Sequence, residues 1–307
     1  MDQDRLWVGT ADGVCRTADS GGARRALQGH AVRALCHDGT SLWAILDART
    51  LVRSPDGIEW NAIHEFDGLR AHCLLPGRDG VLVGTSDARL YHLSQTETGA
   101  AEPVPAFDRV PKRSRWYTPW GAPADVRSLA RGAEGTLYAN VHVGGVVRSR
   151  DRGGSWEQTM DIEADAHQVL AHPTRPGALV AATAIGLATS FDSGGSWTFL
   201  TEGLHATYER AVAFGDDYLL VSASRGDHGR DAALYRTSWP EVGPFERCSE
   251  GLPRWFDDNI NTGSLVADGA FAAAATPGGR IYVSKDRGVT WFETGEFQAI
   301  KCLALGR

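Results

Sequence analysis

S-R-D-R-G-G-S-W at 149–156, S-F-D-S-G-G-S-W at 190–197 and S-K-D-R-G-V-T-W at 284–291 are three copies of one octet, S-x-D-x-G-x-[ST]-W. A shortened form, S-P-D-G-I-E-W, stands at 54–60, and a decayed one, T-A-D-S-G-G-A-R, at 17–24. The residue types describe a hairpin turn. A Ser or Asp oxygen accepts turn amides, Gly supplies a positive φ, and the Trp ring packs beneath the loop.

Spacing turns the repeat into an architecture. Ser54, Ser149, Ser190 and Ser284 stand 95, 41 and 94 residues apart. Those intervals are one or two multiples of a β-propeller blade of about 45 residues. Two blades have therefore lost the octet, and their remnants are the runs 91–94 and 234–239. Upstream of each octet or remnant lies a short apolar β-rich run: 6–10, 42–46, 81–85, 137–141, 179–183, 219–223 and 271–275. Seven such units, with no competing helical periodicity, predict an all-β seven-bladed β-propeller as a single domain over 1–307. The chain opens on the second strand of a blade and ends on a first strand, 299–305. Ring closure by pairing of the C-terminal strand with the N-terminal strands is expected, which removes two free sheet edges.

The octets resemble the Asp-box of the BNR-type, sialidase-like superfamily of propellers. That family includes exo-sialidases, other glycoside hydrolases, and non-enzymatic photosystem-assembly and sorting-receptor propellers, so the resemblance implies a fold more than an activity. Sialidases use an arginine triad on the substrate carboxylate, a Tyr/Glu pair as nucleophile and base, an Asp acid and an early [FY]-R-I-P motif. This chain lacks that motif. Tyr208 beside Glu209 imitates the pair, but neighbours on one strand point to opposite sides.

Charge and composition narrow the function. The formal net charge is −7, without a Lys/Arg run, which argues against a nucleic-acid partner. No stretch reaches the roughly 18 apolar residues of a membrane helix, and the first residues carry no apolar signal core. The five cysteines, odd in number and without C-x-x-C spacing, read as small core residues in a reducing cytoplasm.

Alignment of the innermost strands places a basic column around the channel: Arg33, His72, Arg127, His167, Arg210 and Lys301, with Gly263 leaving one gap. Two residues earlier stand Arg70, Asp125, Asp165, Tyr208 and Asn261. Convergent cations favour a small anionic or carbohydrate-like ligand such as a carboxylate, sulfate, phosphate or sugar acid. The alternative is a salt-bridge network in which Asp125, Asp165 and Glu209 neutralise the column. His72, His142 and His167 are a candidate set for a divalent metal. Tyr208, Asp125 and Asp165 are the nominal catalytic residues of a glycoside hydrolase or a metal-assisted hydrolase or lyase. Two insertions, 103–123 and 251–261, carry Trp116, Tyr117, Trp120 and Trp255, which would stack on a ligand or bury their rings. A third loop, 225–230, reads as mobile enough to close over a site. A protein-interaction scaffold using the aromatic loops remains the third functional reading. Oligomeric state is not readable.

Overall fold

A computed structural model describes residues 6–17, 25–94 and 100–306; apart from Thr17, the decayed octet at 17–24 lies outside the described residues. Strands β1 (Leu6–Thr10) and β2 (Gly13–Arg16) open the chain. Six antiparallel four-stranded sheets follow. The first holds β3 (Val32–His37), β4 (Leu42–Leu46), β5 (Thr50–Ser54) and β6 (Asn61–Glu65). The second holds β7 (Ala71–Gly77), β8 (Gly80–Thr85), β9 (Arg89–Ser94) and β10 (Ala101–Pro103). The third holds β11 (Val126–Arg131), β12 (Leu137–Val141), β13 (Gly145–Ser149) and β14 (Glu157–Gln158). The fourth holds β15 (Ala166–Ala171), β16 (Leu179–Thr183), β17 (Gly186–Ser190) and β18 (Thr198–Leu200). The fifth holds β19 (Val212–Phe214), β20 (Tyr218–Ala223), β21 (Ala233–Ser238) and β22 (Glu246–Arg247). The sixth holds β23 (Leu265–Asp268), β24 (Phe271–Ala275), β25 (Arg280–Ser284) and β26 (Phe292–Glu296). The last strand, β27 (Ile300–Leu305), returns to pair with β1, giving a seventh sheet ordered β2-β1-β27. The fold is a seven-bladed β-propeller closed by its C-terminal strand. No helix among the described residues is long and apolar enough to cross a membrane.

All seven apolar runs become second strands, and each is buried along its length. Burial on both faces explains why they read as continuous apolar runs rather than alternating ones. The two octet-free blades carry their remnants on third strands, β9 and β21, as the spacing predicts.

The octet turns show why their residues recur. Ser149 Oγ donates to Asp151 Oδ1 at 2.9 Å and accepts from Gly153 N at 2.8 Å. Asp151 also accepts from Ser155 N and Oγ at 2.8 and 2.6 Å, and Trp156 Nε1 donates to the Gly153 carbonyl at 3.2 Å. The same bonds recur around Asp286, ending with Trp291 Nε1 on Gly288 O at 3.0 Å. Around Asp192 the carboxylate contacts repeat, but the Trp197 indole N–H makes no hydrogen bond. Residues 152 and 153 both have positive φ, 59° and 96°, so glycine at the fifth position meets a steric demand. The short form at 54–60 closes one residue earlier, with Gly57 N on Ser54 Oγ at 2.8 Å. Hydrogen bonds from Ser155 and Ser149 hold the Asp151 carboxyl at about 2, and those from Ser196 and Ser190 hold Asp192 there too.

By its internal contacts the chain divides into two compact units. One comprises Met1–Asp47, Val52–Asn61 and Thr201–Arg307; the other comprises Ala48–Leu51 and Ala62–Leu200. Within each, small residues let blades approach. A Cβ on Gly84 would lie 2.5 Å from Val126 Cγ1 in the second unit, and one on Gly9 would lie 2.6 Å from Cys302 Sγ in the first. Polar ties cross between neighbouring inner strands: Ser128 Oγ accepts from Val169 N at 2.9 Å in the second unit, and Thr262 Oγ1 donates to Arg210 O at 2.8 Å in the first. Four of the five cysteines are buried and Cys36 is partly so, all as free thiols.

Candidate functional site

The basic column divides between the units, and its chemistry differs in each. In the second unit, His72 on β7, Arg127 on β11 and His167 on β15 occupy successive inner strands. Asp125 stands just before β11. Asp165 closes a short 3-10 turn, Ile162–Ala164, in the left-handed conformation with φ 45°. His142 follows β12, its backbone N–H on the Asp125 carbonyl at 2.9 Å. These six side chains form a continuous chain. His72 Nε2 lies 3.5 Å from Asp125 Oδ1, and Asp125 Oδ2 lies 3.9 Å from Arg127 Nη2. Arg127 Nη2 contacts His142 Nδ1 at 2.8 Å; His142 Nε2 lies 3.7 Å from Asp165 Oδ1, and His167 Nε2 lies 3.5 Å from Asp165 Oδ2.

Protonation follows from that geometry. A guanidinium only donates, so His142 Nδ1 accepts and the ring proton belongs on Nε2, toward Asp165. Burial, then the Arg127 charge, pull the His142 imidazole down to about 4, so it is neutral at physiological pH. For Asp125 and Asp165 burial pushes upward, but hydrogen bonds and positive charge from His72 and His167 respectively outweigh it and leave both carboxyls below their usual range. Neither is poised to give up a proton at neutral pH. As a glycosidase pair they lack the acid member, whose carboxyl must be raised.

The candidate metal set of His72, His142 and His167 divides between two carboxylates. Among the described residues no group of three or more His, Cys, Asp or Glu is disposed to hold a metal ion. His142 and His167 do meet, on Asp165, but His72 is turned to Asp125 and the Arg127 cation occupies the Nδ1 side of His142. A guanidinium on the ligand atom repels a divalent cation.

In the first unit the column is built differently. Arg210 and Tyr208 share one side of the chain, while Glu209 points the other way and is 0% exposed. Burial raises the Glu209 carboxyl well above its ordinary value, which keeps it protonated and uncharged. All the hydrogen-bond partners described for Arg210 are uncharged. Nη1 donates to Asn261 Oδ1 at 2.9 Å, and Nη2 donates to Tyr208 OH and to the Asp227 carbonyl, each at 3.3 Å. Its Nε is buried without a hydrogen bond, and its guanidinium lies 5.5 Å over the Tyr208 ring. Strand β19 begins at Val212 rather than at 209, because Ser222 Oγ takes the amides of Arg210 and Ala211 at 3.3 and 3.0 Å in place of a ladder bond. Arg33 on β3 and Lys301 on β27 are exposed in the same unit, on inner strands that pack together.

Loop 225–230 is pinned rather than loose. Asn259, 3% exposed, donates to the carbonyls of Gly226 and Asp227 at 3.2 and 3.0 Å, and Arg225 Nε bonds Asp231 at 2.8 Å. Sequence reasoning missed Asn259, whose only signal was its place two residues before Asn261.

The aromatic expectations are revised. Trp116 is a core residue, packed on Phe107 at 5.8 Å with Nε1 toward Gln158 at 3.4 Å. Trp255 is engaged within its own unit by His205 at 4.8 Å and the Arg247 guanidinium at 4.1 Å. Trp120 is the most exposed of the four at 63%; its ring tilts over His142 at 5.0 Å and carries the Arg127 guanidinium 5.7 Å from its centroid. Tyr117 is 45% exposed, and Arg70 is exposed with backbone contacts to Ser86.

No family model matches this chain, and no curated protein matches it by sequence. Solved structures do. An ancestral GH74 enzyme superposes with a TM-score of 0.63 at 13% identity, over 94% of this chain and 39% of its own. The GH74 xyloglucanase of Xanthomonas campestris gives 0.60 at 17% identity, over 94% and 46%. YCF48 of Cyanidioschyzon merolae gives 0.60 at 16% identity, over 93% and 90%. The likeness is one of fold. The chain spans about two fifths of the ancestral GH74 enzyme and under half of the Xanthomonas one, and it is similar to enzymes and to YCF48 through the propeller alone.

Proposed function

We propose that this chain is an Asp-box, sialidase-like propeller that binds a small anionic ligand, a carboxylate, sulfate, phosphate or sugar acid, at Arg210 with Tyr208 and Asn261. The observation that carries the reading is the company Arg210 keeps: a partly buried guanidinium whose hydrogen bonds go to uncharged oxygens, beside a Glu209 held neutral. A partly desolvated cation with only neutral partners gains most from an anion, and the guanidinium fork suits bidentate oxyanions. Exposed Arg33 and Lys301 add positive potential within the same unit. The reading is binding rather than catalysis, because Asp125 and Asp165 both stay ionised. Five free thiols suit a reducing cytoplasm.

Thermal-shift measurements with phosphate, sulfate, acetate and glucuronate test it. An anion at a hundred times its dissociation constant stabilises the protein by about 2.7 kcal/mol. At least one of the four raises the melting temperature, Arg210→Ala abolishes the rise, and Arg127→Ala keeps it, since Arg127 already faces Asp125. An equal rise in Arg210→Ala, or none with any anion, refutes the reading.

A further inference from the structure

One of the three partners of the Arg210 guanidinium comes from a surface loop. We propose that loop 225–230 is a strap across the anion site, with the Asp227 carbonyl standing in for the ligand and Asn259 latching the strap shut. The inference rests on the reading of Arg210 as an anion site and concerns what an anion must displace to reach it.

The stand-in has the right chemistry. A carbonyl oxygen accepts and carries partial negative charge, and Asp227 offers its own to Arg210 Nη2. That bond is 3.3 Å long, as is the one from Nη2 to Tyr208 OH, both past the usual range of about 2.7–3.2 Å. A carboxylate or phosphate oxygen makes a charge-assisted bond of about 2.7–2.9 Å, roughly twice as strong as a neutral one, so an anion outcompetes the carbonyl on the same donor.

The strap is held at its neck and latched at its tip. The neck is closed by Arg225 N on the Arg230 carbonyl at 2.8 Å and by the Arg225–Asp231 ion pair at 2.8 Å. Just inside it, Gly226 has φ 126°, and a Cβ there would meet nothing within 4 Å, so the backbone turns in open space. The tip side chains, Asp227 and His228, are both exposed, so no apolar burial fixes them. What fixes the tip is polar. Asn259 Nδ2 donates to the Gly226 and Asp227 carbonyls, at 3.2 and 3.0 Å, and Ser224 Oγ donates to the Gly226 carbonyl at 2.9 Å. Asn259 thus shares the Asp227 carbonyl with Arg210. Removing its two donors favours the open tip, and the apparent affinity of a site that binds only when open rises in proportion to its open fraction.

The test is calorimetric titration of phosphate, sulfate, acetate and glucuronate into the full chain and into Asn259→Ala, followed by amide hydrogen exchange of the 225–230 segment with and without saturation by the anion that binds. Asn259→Ala binds that anion about 5-fold more tightly, the factor of one net hydrogen bond withdrawn from the closed form. Saturating the native chain speeds exchange in 225–230, whereas a ligand that closes a loop slows it. Equal or weaker binding in Asn259→Ala, or slower exchange in 225–230 on saturation, overturns the strap and leaves Arg210 standing as the anion site. Binding of none of the four anions to either protein removes the Arg210 reading itself, and the strap with it. Should Asn259→Ala fail to fold, the direction of the exchange change in the native chain decides alone.

Discussion

Replacing Glu209 by Gln should make the protein progressively more stable than the native chain as pH rises. The carboxyl is 0% exposed, and burial holds its proton on in the folded state at pH values where the unfolded chain, titrating near 4.5, has released it. Between those two values the folded protein binds one proton more than the unfolded one, so unfolding free energy falls as pH rises. The slope is about 1.4 kcal/mol per pH unit, or about 2.7 kcal/mol over two units, against a total stability on the order of 5–15 kcal/mol. Gln keeps the shape and removes the titration. Urea unfolding of both proteins at pH 5, 6 and 7 measures the difference, which should widen by that slope with the denaturant dependence unchanged. Parallel curves across the three pH values would refute the protonation argument. A narrowing gap would reverse its sign.

Gly84→Ala should cost about 1–3 kcal/mol, because the new methyl would stand 2.5 Å from Val126 Cγ1 and 2.6 Å from Cys73 Sγ, and part of the loss should return in the double variant with Val126→Ala, read by urea unfolding. Trp291→Ala should cost about 3–5 kcal/mol, since that ring is 1% exposed and ties its turn through Gly288; a loss under 1 kcal/mol contradicts the role given to the octet tryptophan. Removing 300–307 takes β27 from β1 and exposes the pocket of Ile300 and Leu303, each buried and worth roughly 1.5–3 kcal/mol, so an unchanged melting temperature in that truncation contradicts the closure. Trp120→Ala should leave stability within about 0.5 kcal/mol, measured by the same unfolding curves, as its ring is mostly solvent-exposed.

The fold was readable because its signals are local. The octets at 149–156, 190–197 and 284–291 write their own turn hydrogen bonds, and runs such as 42–46 and 137–141 announce strands buried on both faces. Strand starts were less legible: Glu209 and Arg210 read as strand, but the Ser222 hydroxyl, twelve residues from Arg210, takes the amides that a ladder would use. The same limit governs the site. Two-residue alternation put Arg127 and Arg210 in one column, but only the fold reveals that Asp125 faces the first while Asn261, Tyr208 and a backbone carbonyl surround the second. Trp116 and Trp120 are four apart in one insertion and look equivalent in sequence. Phe107, with Trp156 against it, draws Trp116 into the core, leaving Trp120 outside. Loop 225–230, polar and glycine-bearing, gave no hint of the Asn259 side chain that fastens it from thirty residues away.

The most direct measurement is anomalous diffraction from crystals of the full chain soaked in selenate or bromoacetate. The account predicts a selenium or bromine peak within hydrogen-bonding reach of the Arg210 guanidinium, or one carbon beyond it, between Tyr208 and Asn261. Peaks at other cations with Arg210 still bound only to its neutral partners would contradict it.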